Sequence, residues 1–360
     1  MALTAEKAAH KPLARRTRAK GTGTVEQLLA PWEEFRRVIP LVSLKSLLHP
    51  AHPPAPKVAV LMCTMQGQHF LAEQLNSIAT QSHPRWAIWA SDDGSDDHTH
   101  AILEYYQSHW GEDRISIHAG PAEGSTANFL SLTCRADIDA DYFAYADQDD
   151  VWESDKLERA VNWLETVPAD VPALYGSRTL LVDARNQHLG YSPLFEKAPD
   201  FRNALVQSIA GGNTMVFNRA ARDLLRQAGE NVEAVTHDWW AYMLITGCGG
   251  RVHYDPYPTV RYRQHGSNQF GSNADPIAQL KRARLLLQGR FRGWVDRNLR
   301  ALQQVRHLMT PHNQRVLDEF AQARRRPLPV RIAALHRAGI FRQTALGNLG
   351  LALAALINRL

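Results

Sequence analysis

The densest chemistry in the chain lies in Ala146-Asp147-Gln148-Asp149-Asp150-Val151-Trp152, directly after the apolar run Tyr142-Phe143-Ala144-Tyr145. An apolar run ending in packed carboxylates describes a buried strand with an acidic C-terminal tip, the edge at which open α/β sheets bind ligands. Asp147, Asp149 and Asp150 repel one another unless a cation or a set of donors compensates them. A hard divalent ion meets that need, since Mg²⁺ takes one or two carboxylates together with phosphate oxygens. A second reading stays open, in which Asp149, Asp150 and Glu153 cap the helix continuing through Asp155-Lys156-Leu157-Glu158.

Other groups share this chemistry. Asp92-Asp93-Gly94-Ser95 ends another apolar run, which brings its carboxylates to the same sheet edge. There a carboxylate can accept from a pyrimidine imide or a ribose hydroxyl, and Gly94 permits the tight turn that follows. An ordinary Asp-Gly turn with a helix cap reads the same way. Thr236-His237-Asp238-Trp239-Trp240 sets one carboxylate at the head of an aromatic-rich helix. It is either an N-cap or a general base whose aromatic neighbours exclude water. In Val260-Arg261-Tyr262-Arg263-Gln264-His265-Gly266-Ser267-Asn268, a neutral His265 can ligate a metal and Arg263 can neutralise a diphosphate. Gly211-Gly212-Asn213-Thr214-Met215 is a backbone that approaches a ligand, or a plain loop. These pieces suit a nucleotide-sugar donor: the departing diphosphate needs a cation, and the acceptor hydroxyl needs a base. One base without a protein nucleophile gives a single displacement with inversion.

The elements that must position these groups alternate strand and helix, which predicts an α/β fold with a largely parallel sheet. Strands are expected at Val58–Met62, Trp86–Ala90, Ile115–His118, Tyr142–Ala146, Ala173–Val182 (strand or hairpin), Met215–Phe217, Val252–Tyr254 and Val260–Tyr262. Helices are expected at Phe70–Ile78, Ala101–Trp110, Asn128–Cys134, Leu157–Leu164, Ala220–Ala228 and Trp239–Thr246. Three parts follow: a basic disordered tail, amphipathic helix and Pro-rich linker over 1–56, a catalytic domain over 57–273, and a basic amphipathic helical region over 274–360.

Charge is mild overall, 41 basic against 36 acidic residues, but both ends are strongly basic around an acidic centre. That asymmetry suits an anionic surface, and an anionic membrane face is the expected partner. The tails lack the interleaved aromatics of a nucleic-acid binder, so nucleic acid is not expected. Cys63, Cys134 and Cys248 have neither disulfide nor metal spacing and predict small core residues in a reducing compartment. The N-terminal stretch lacks a signal-peptide pattern, and the longest apolar run, Gly347 to Ile357, is too short to span a bilayer. The expected location is cytoplasmic, peripheral at the inner face of the plasma membrane.

The order of motifs resembles the family 2 glycosyltransferases, especially the bacterial rhamnosyltransferase-like subgroup, from about Lys57 to Gly271. The resemblance rests on Glu73-Gln74-Leu75-Asn76-Ser77-Ile78, Asp92-Asp93-Gly94-Ser95, Asp147-Gln148-Asp149-Asp150-Val151-Trp152, His237-Asp238-Trp239-Trp240 and Tyr262-Arg263-Gln264-His265-Gly266-Ser267-Asn268. It implies a nucleotide-sugar-binding, Rossmann-like domain of GT-A type with a mostly parallel central sheet. It also implies inverting transfer dependent on Mg²⁺ or Mn²⁺. By position, Thr64 and Asp92 would hold the nucleotide base and ribose, with Asp147 on the ribose side of the donor. Asp149 and His265 would lie at the metal, with Arg263 beside the diphosphate, and Asp238 would be the catalytic base. Trp152, Gly212, Asn213 and Trp239 are acceptor-side candidates. The chain departs from the family at Met65-Gln66, where an aromatic-Asn pair is usual, and at Arg178, where a small or acidic residue is common. The expected reaction moves a sugar such as rhamnose to a glycan or polyprenyl-linked acceptor in bacterial surface polysaccharide synthesis. A non-catalytic sugar-nucleotide-binding subunit of a membrane assembly is the alternative, but such a subunit needs no base.

Overall fold

The run from Val58 to Met62 has no polar face to offer water, so it can only form an interior strand. In the computed structural model, which describes residues 54–265 and 290–360, this is β1 (Val58–Thr64), buried at all seven positions. Parallel to it lie β2 (Trp86–Asp92) and β4 (Tyr142–Asp147), and β3 (Ile115–Ala119) pairs with β2. The helices joining them are α1 (Leu71–Ala79), α2 (Thr99–Trp110) and α3 (Ser125–Cys134). Helix α1 turns Leu71, Leu75 and Ile78 inward, the one-sided spacing expected of a crossover helix. Register fixes the site: Thr64 pairs with Asp92, and Cys63 pairs with both Ser91 and Asp147. Three strand tips therefore end at one edge.

Beyond β4 the chain forms β5 (Val151–Trp152), β6 (Ala173–Val182), β7 (His188–Tyr191), β8 (Val216–Asn218) and β9 (Arg251–Arg263). The nine strands found among the described residues make one sheet, with β7 hanging off β6 and the rest in the order β3-β2-β1-β4-β8-β6-β9-β5. The α/β expectation agrees with this, but the sheet is mixed. Its β1–β4 half and the β6–β9 pair are parallel, whereas β8 runs antiparallel to β4 and β6, and β5 to β9. The reversal arises because β8 is reached through irregular chain and a short 3₁₀ turn (Gly212–Thr214) rather than through a crossover helix.

Two local expectations are corrected. The two late strands are one, β9, whose register against β6 shifts between Ser177 and Thr179. Pro258 faces Arg178 at that irregularity, where a residue without an N–H costs the ladder little. The helix α4 (Lys156–Leu164) takes Asp155 as its N-cap residue, so Asp149 and Asp150 cap nothing. They lie between β4 and β5.

Next come α5 (Phe201–Ala204), α6 (Arg219–Ala228) and α7 (His237–Gly247), and then α8 (Arg290–Gln304), α9 (Pro311–Arg325), α10 (Val330–Arg337) and α11 (Ala345–Leu356). The last four pack on the same core as the sheet: Val295, Leu302, Leu317 and Phe320 join Trp240, Met243 and Phe217. The amide of Asn313 donates to the carbonyls of Thr246 (2.9 Å) and Gly247 (3.1 Å), satisfying orphan groups at the end of α7. The expected N-terminal tail and helix, residues 49–53 of the Pro-rich linker, Ser267-Asn268 and the apolar positions Leu280 to Leu287 lie outside the described residues. No helix among the described residues is long and apolar enough to cross a membrane.

Candidate active site

At the tip of β2, the carboxylate of Asp92 is held from both sides. Its Oδ1 accepts from Thr64 Oγ1 (2.7 Å) and Ser95 Oγ (2.6 Å), and its Oδ2 accepts from the Ser95 N–H (2.9 Å). Gly94 between them adopts φ +93°, a conformation that favours glycine. Asp93 accepts from the backbone of Ala122 (2.7 Å) and Gly124 (2.9 Å), tying the loop before α3 to the sheet edge. The departure Met65-Gln66 is held in turn by Gln148. Its amide accepts from the Met65 N–H (2.8 Å) and donates to the Met65 carbonyl (2.7 Å). A Cβ on Gly67 would meet that amide, so any larger residue there would have to displace the Gln148 side chain.

The tip of β4 differs. Burial first, then the charges of Asp149 and Asp238, push Asp147 up to about 7. Asp150 is fully buried and raised well above the usual carboxylate range by desolvation, with Asp149 and Asp147 adding to it. It accepts from Asn213 Nδ2 (2.5 Å) and from the Arg263 N–H (3.2 Å). Asp149 Oδ2 lies 2.8 Å from His265 Nε2, both side chains being partly exposed. Phe70 lies against the imidazole at 5.1 Å between ring centroids.

Asp238 sits in the first turn of α7, one residue beyond His237 and two beyond the N-cap residue Thr236. Its Oδ1 accepts from the Trp239 N–H at 2.7 Å. Burial holds His237 down to about 4, so its ring is neutral. That ring stacks on Phe129 (3.9 Å) and meets Tyr145 edge-on (4.9 Å), which anchors the start of α7 to β4 and α3. It also fills the space a Cβ on Gly212 would take, and so explains that glycine.

The structure thus brings Thr64, Asp92, Asp147, Asp149 and His265 to one edge, with Asp238 close enough for its charge to raise Asp147. Five candidates fall elsewhere. The Arg263 side chain is 1% exposed and does not face a diphosphate. It donates to Glu73 Oε2 (2.5 Å) and to the carbonyls of Asp149 (2.9 Å) and Ala184 (3.1 Å), with Phe70 under its guanidinium (4.6 Å). A buried cation needs such partners, and they make Arg263 the brace of the Asp149 turn. Trp152 is core, with Lys156 Nζ over its ring at 3.4 Å. Trp239 is buried too, its indole donating to the Ala204 carbonyl (2.6 Å). Asn213 spends its amide on Asp150, and Gly212 lies against His237. The positions missed from the sequence are Glu73, Gln148 and His237, while Asp93 and Asp150 are placed at the acidic tips without the donors that hold them. All lie inside or next to the quoted motifs, and their roles depend on distant partners.

A carboxylate and an imidazole side by side suit a hard divalent cation that completes its shell with phosphate oxygens. No cluster of three or more His, Cys, Asp or Glu fit to hold a metal occurs among the described residues, where Asp149 and His265 form a pair 2.8 Å apart.

The sheet edge thus sets a braced carboxylate at β2 near the Asp149–His265 couple, with Asp238 at the head of α7 close by, on a mixed α/β sheet. The family described as Glycosyl transferase family 2 matches residues 59–225, from β1 into α6. The dTDP-rhamnosyl transferase RfbG of Shigella flexneri is 30% identical over 253 residues, 67% of this chain and 84% of that protein. The UDP-Glc:alpha-D-GlcNAc-diphosphoundecaprenol beta-1,3-glucosyltransferase WfgD of Escherichia coli is 23% identical over 129 residues, 34% of this chain and 46% of that one. Among solved structures, S. aureus TarS 1-349 in complex with UDP-GlcNAc is 14% identical, with TM-score 0.48 over 84% of this chain and 89% of that one. The chain belongs to glycosyltransferase family 2 and is a glycosyltransferase similar to bacterial rhamnosyltransferases.

Proposed function

We propose that this enzyme transfers a deoxyhexose, with rhamnose the first candidate, from a nucleoside-diphosphate donor to a hydroxyl of a glycan or polyprenyl-linked acceptor. The transfer inverts the anomeric carbon and serves bacterial surface polysaccharide synthesis in the cytoplasm, at the inner face of the plasma membrane. RfbG is named for dTDP-rhamnosyl transfer and WfgD for a diphosphoundecaprenol acceptor, which supports both halves of the reading. The observation that carries it is the Asp149–His265 couple at 2.8 Å, on the edge where Asp147 feels the charges of Asp149 and Asp238.

In this reading Thr64 and Asp92 hold the nucleoside, and Asp147 lies on its ribose side. Asp149 and His265 would hold Mg²⁺ or Mn²⁺, which supplies charge stabilisation for the departing diphosphate. Arg263 keeps Asp149 in place from beneath. The Trp239 N–H fixes Oδ1 of Asp238 and leaves Oδ2 to take the acceptor's proton. As that proton moves, the acceptor oxygen bonds to the anomeric carbon. The bond from that carbon to the diphosphate oxygen breaks, its electron pair leaving with the nucleoside diphosphate.

The test is release of nucleoside diphosphate from a panel of sugar nucleotides with Mg²⁺ or Mn²⁺. Wild type is expected to release dTDP from a dTDP-deoxyhexose, and Asp238→Asn to slow this by roughly 10²–10⁴-fold. Equal release by the two proteins overturns the base assignment.

A further inference from the structure

Helix α11 presents an apolar face to the outside. Leu346, Leu349, Leu353, Leu356 and the adjoining Ile357 are 68, 67, 45, 51 and 38% exposed. At about 100° per residue these five fall within an arc of roughly 100°, opposite Leu351, Ala354 and Ala355, which pack inward. A helix on a water-facing surface normally turns its charged residues outward. This one has none to turn, since no residue from Gln343 to Asn358 is charged.

The surroundings of the stripe are basic. After Glu319 the chain has no acid and seven arginines. Two of these are engaged inside the fold: Arg331 donates to the Ala355 carbonyl (2.8 Å), and Arg324 pairs with Asp296 (2.7 Å). Arg325, Arg326, Arg337 and Arg359 are exposed. The α8 residue Arg292 reaches the end of α11 by donating to the Asn358 carbonyl (3.2 Å). Asp296, the acid on that side, is already engaged by Arg324 and by Arg292 (3.8 Å). Leu328 and Val330, beside Arg325 and Arg326, add two more large apolar side chains at 48% exposure each.

We infer that this face docks on an anionic lipid bilayer. Helix α11 lies in the plane of the interface, its leucines among the upper acyl segments and the arginines around it on lipid phosphates. The charge pattern selects this occupant. A second copy meeting the same face across a two-fold axis would bring arginine-rich patches together, whose one acid, Asp296, is already paired, and like charges at an interface oppose association. Length sets the mode of contact: the 12 residues of α11 extend about 18 Å, against the ~30 Å of a hydrocarbon core. The helix lies on the membrane and does not cross it. This inference rests on the reading of the acceptor as lipid-linked, and it names the surface by which the enzyme would hold to the membrane that carries such an acceptor.

The experiment is flotation of the full-length protein with vesicles of phosphatidylcholine alone or with added phosphatidylglycerol, at low and high salt. Wild type is expected to float with the anionic vesicles and to be released by salt. Leu349→Glu/Leu353→Glu should weaken that binding by about tenfold or more. Leu349→Ser/Leu353→Ser should weaken it less, since it removes apolar contact without adding negative charge. Unchanged thermal midpoints establish that both variants fold, and light scattering reports the oligomeric state. Wild type that ignores anionic vesicles, a Glu variant that floats as well as wild type, or a dimer that the Glu variant dissociates would each overturn the docking surface. Nucleoside diphosphate release in vesicle-free solution is expected to be equal in wild type and both variants. Its loss in wild type would strike the transferase reading, leaving vesicle binding to be judged by its own result.

Discussion

The tips of β2 and β4 carry similar acids under opposite conditions. Asp92 and Asp93 have all four carboxylate oxygens engaged, by Thr64, Ser95, Ala122 and Gly124. Asp147, Asp149 and Asp150 crowd together, and burial with mutual repulsion raises Asp147 and Asp150. Neutral donors turn the first tip into a rigid scaffold, because each carboxylate oxygen is tied to a fixed N–H or O–H group. Repulsion makes the second tip costly to keep charged and therefore responsive to a cation. One sheet edge thus holds a shape-defining half and a charge-responsive half.

The largest expected effect tests what braces the second tip. Arg263→Met leaves Glu73 and several carbonyls without their buried partner, and should destabilise the fold by about 3–5 kcal/mol in urea unfolding. A loss under 1 kcal/mol would show that the guanidinium is not that brace. Next is the anchor of α7. His237 is held at about 4 against an ordinary value of 6.5, so between those values the unfolded chain binds a proton that the fold refuses. Stability is therefore complete above about pH 6.5 and falls by up to about 3 kcal/mol toward pH 4. His237→Phe, which keeps a ring on Phe129 but cannot titrate, should flatten this part of the stability–pH curve. An unchanged slope would assign it to other groups.

The contrast between the tips is sharpened by the same substitution made in each. Asp93→Asn gives up strong acceptance from two backbone N–H groups and should cost about 1–3 kcal/mol. Asp147→Asn removes a repelled charge and should stabilise the protein on the order of 1 kcal/mol while lowering activity. Equal signs in the two unfolding curves would erase the contrast. The smallest effect is at the clip between the tips. Gln148→Ala frees Met65, and should raise KM for the donor by about tenfold with kcat nearly unchanged, as expected when one or two hydrogen bonds are lost.

Much of this was legible in the sequence. Val58–Met62 and Tyr142–Ala146 are apolar throughout and can only be interior strands, so acids that follow them must lie at the strand ends. The parallel order of β2, β1 and β4 then brings Asp92 and Asp147 to one edge, with Asp149 just beyond it. What stayed hidden depends on partners far along the chain. Arg263 meets Glu73 190 positions away, and no local pattern distinguishes that from a cation facing a phosphate. Trp152 and Trp239 look like cleft aromatics until their elements show them facing inward. The two-residue strand β5 is too short to have a period, and Pro256 and Pro258 made the single strand β9 read as two.

The central claim is that Asp149 and His265, and not the braced acids of β2, bind the cation that accompanies a nucleoside diphosphate. Titration of Mn²⁺ followed by electron paramagnetic resonance, with dTDP present, tests it most directly on wild type, Asp149→Asn, His265→Gln and Asp93→Asn. Mn²⁺ affinity is predicted to fall about tenfold or more in the first two variants and to stay at the wild-type level in Asp93→Asn. Wild-type affinity in Asp149→Asn would contradict the account.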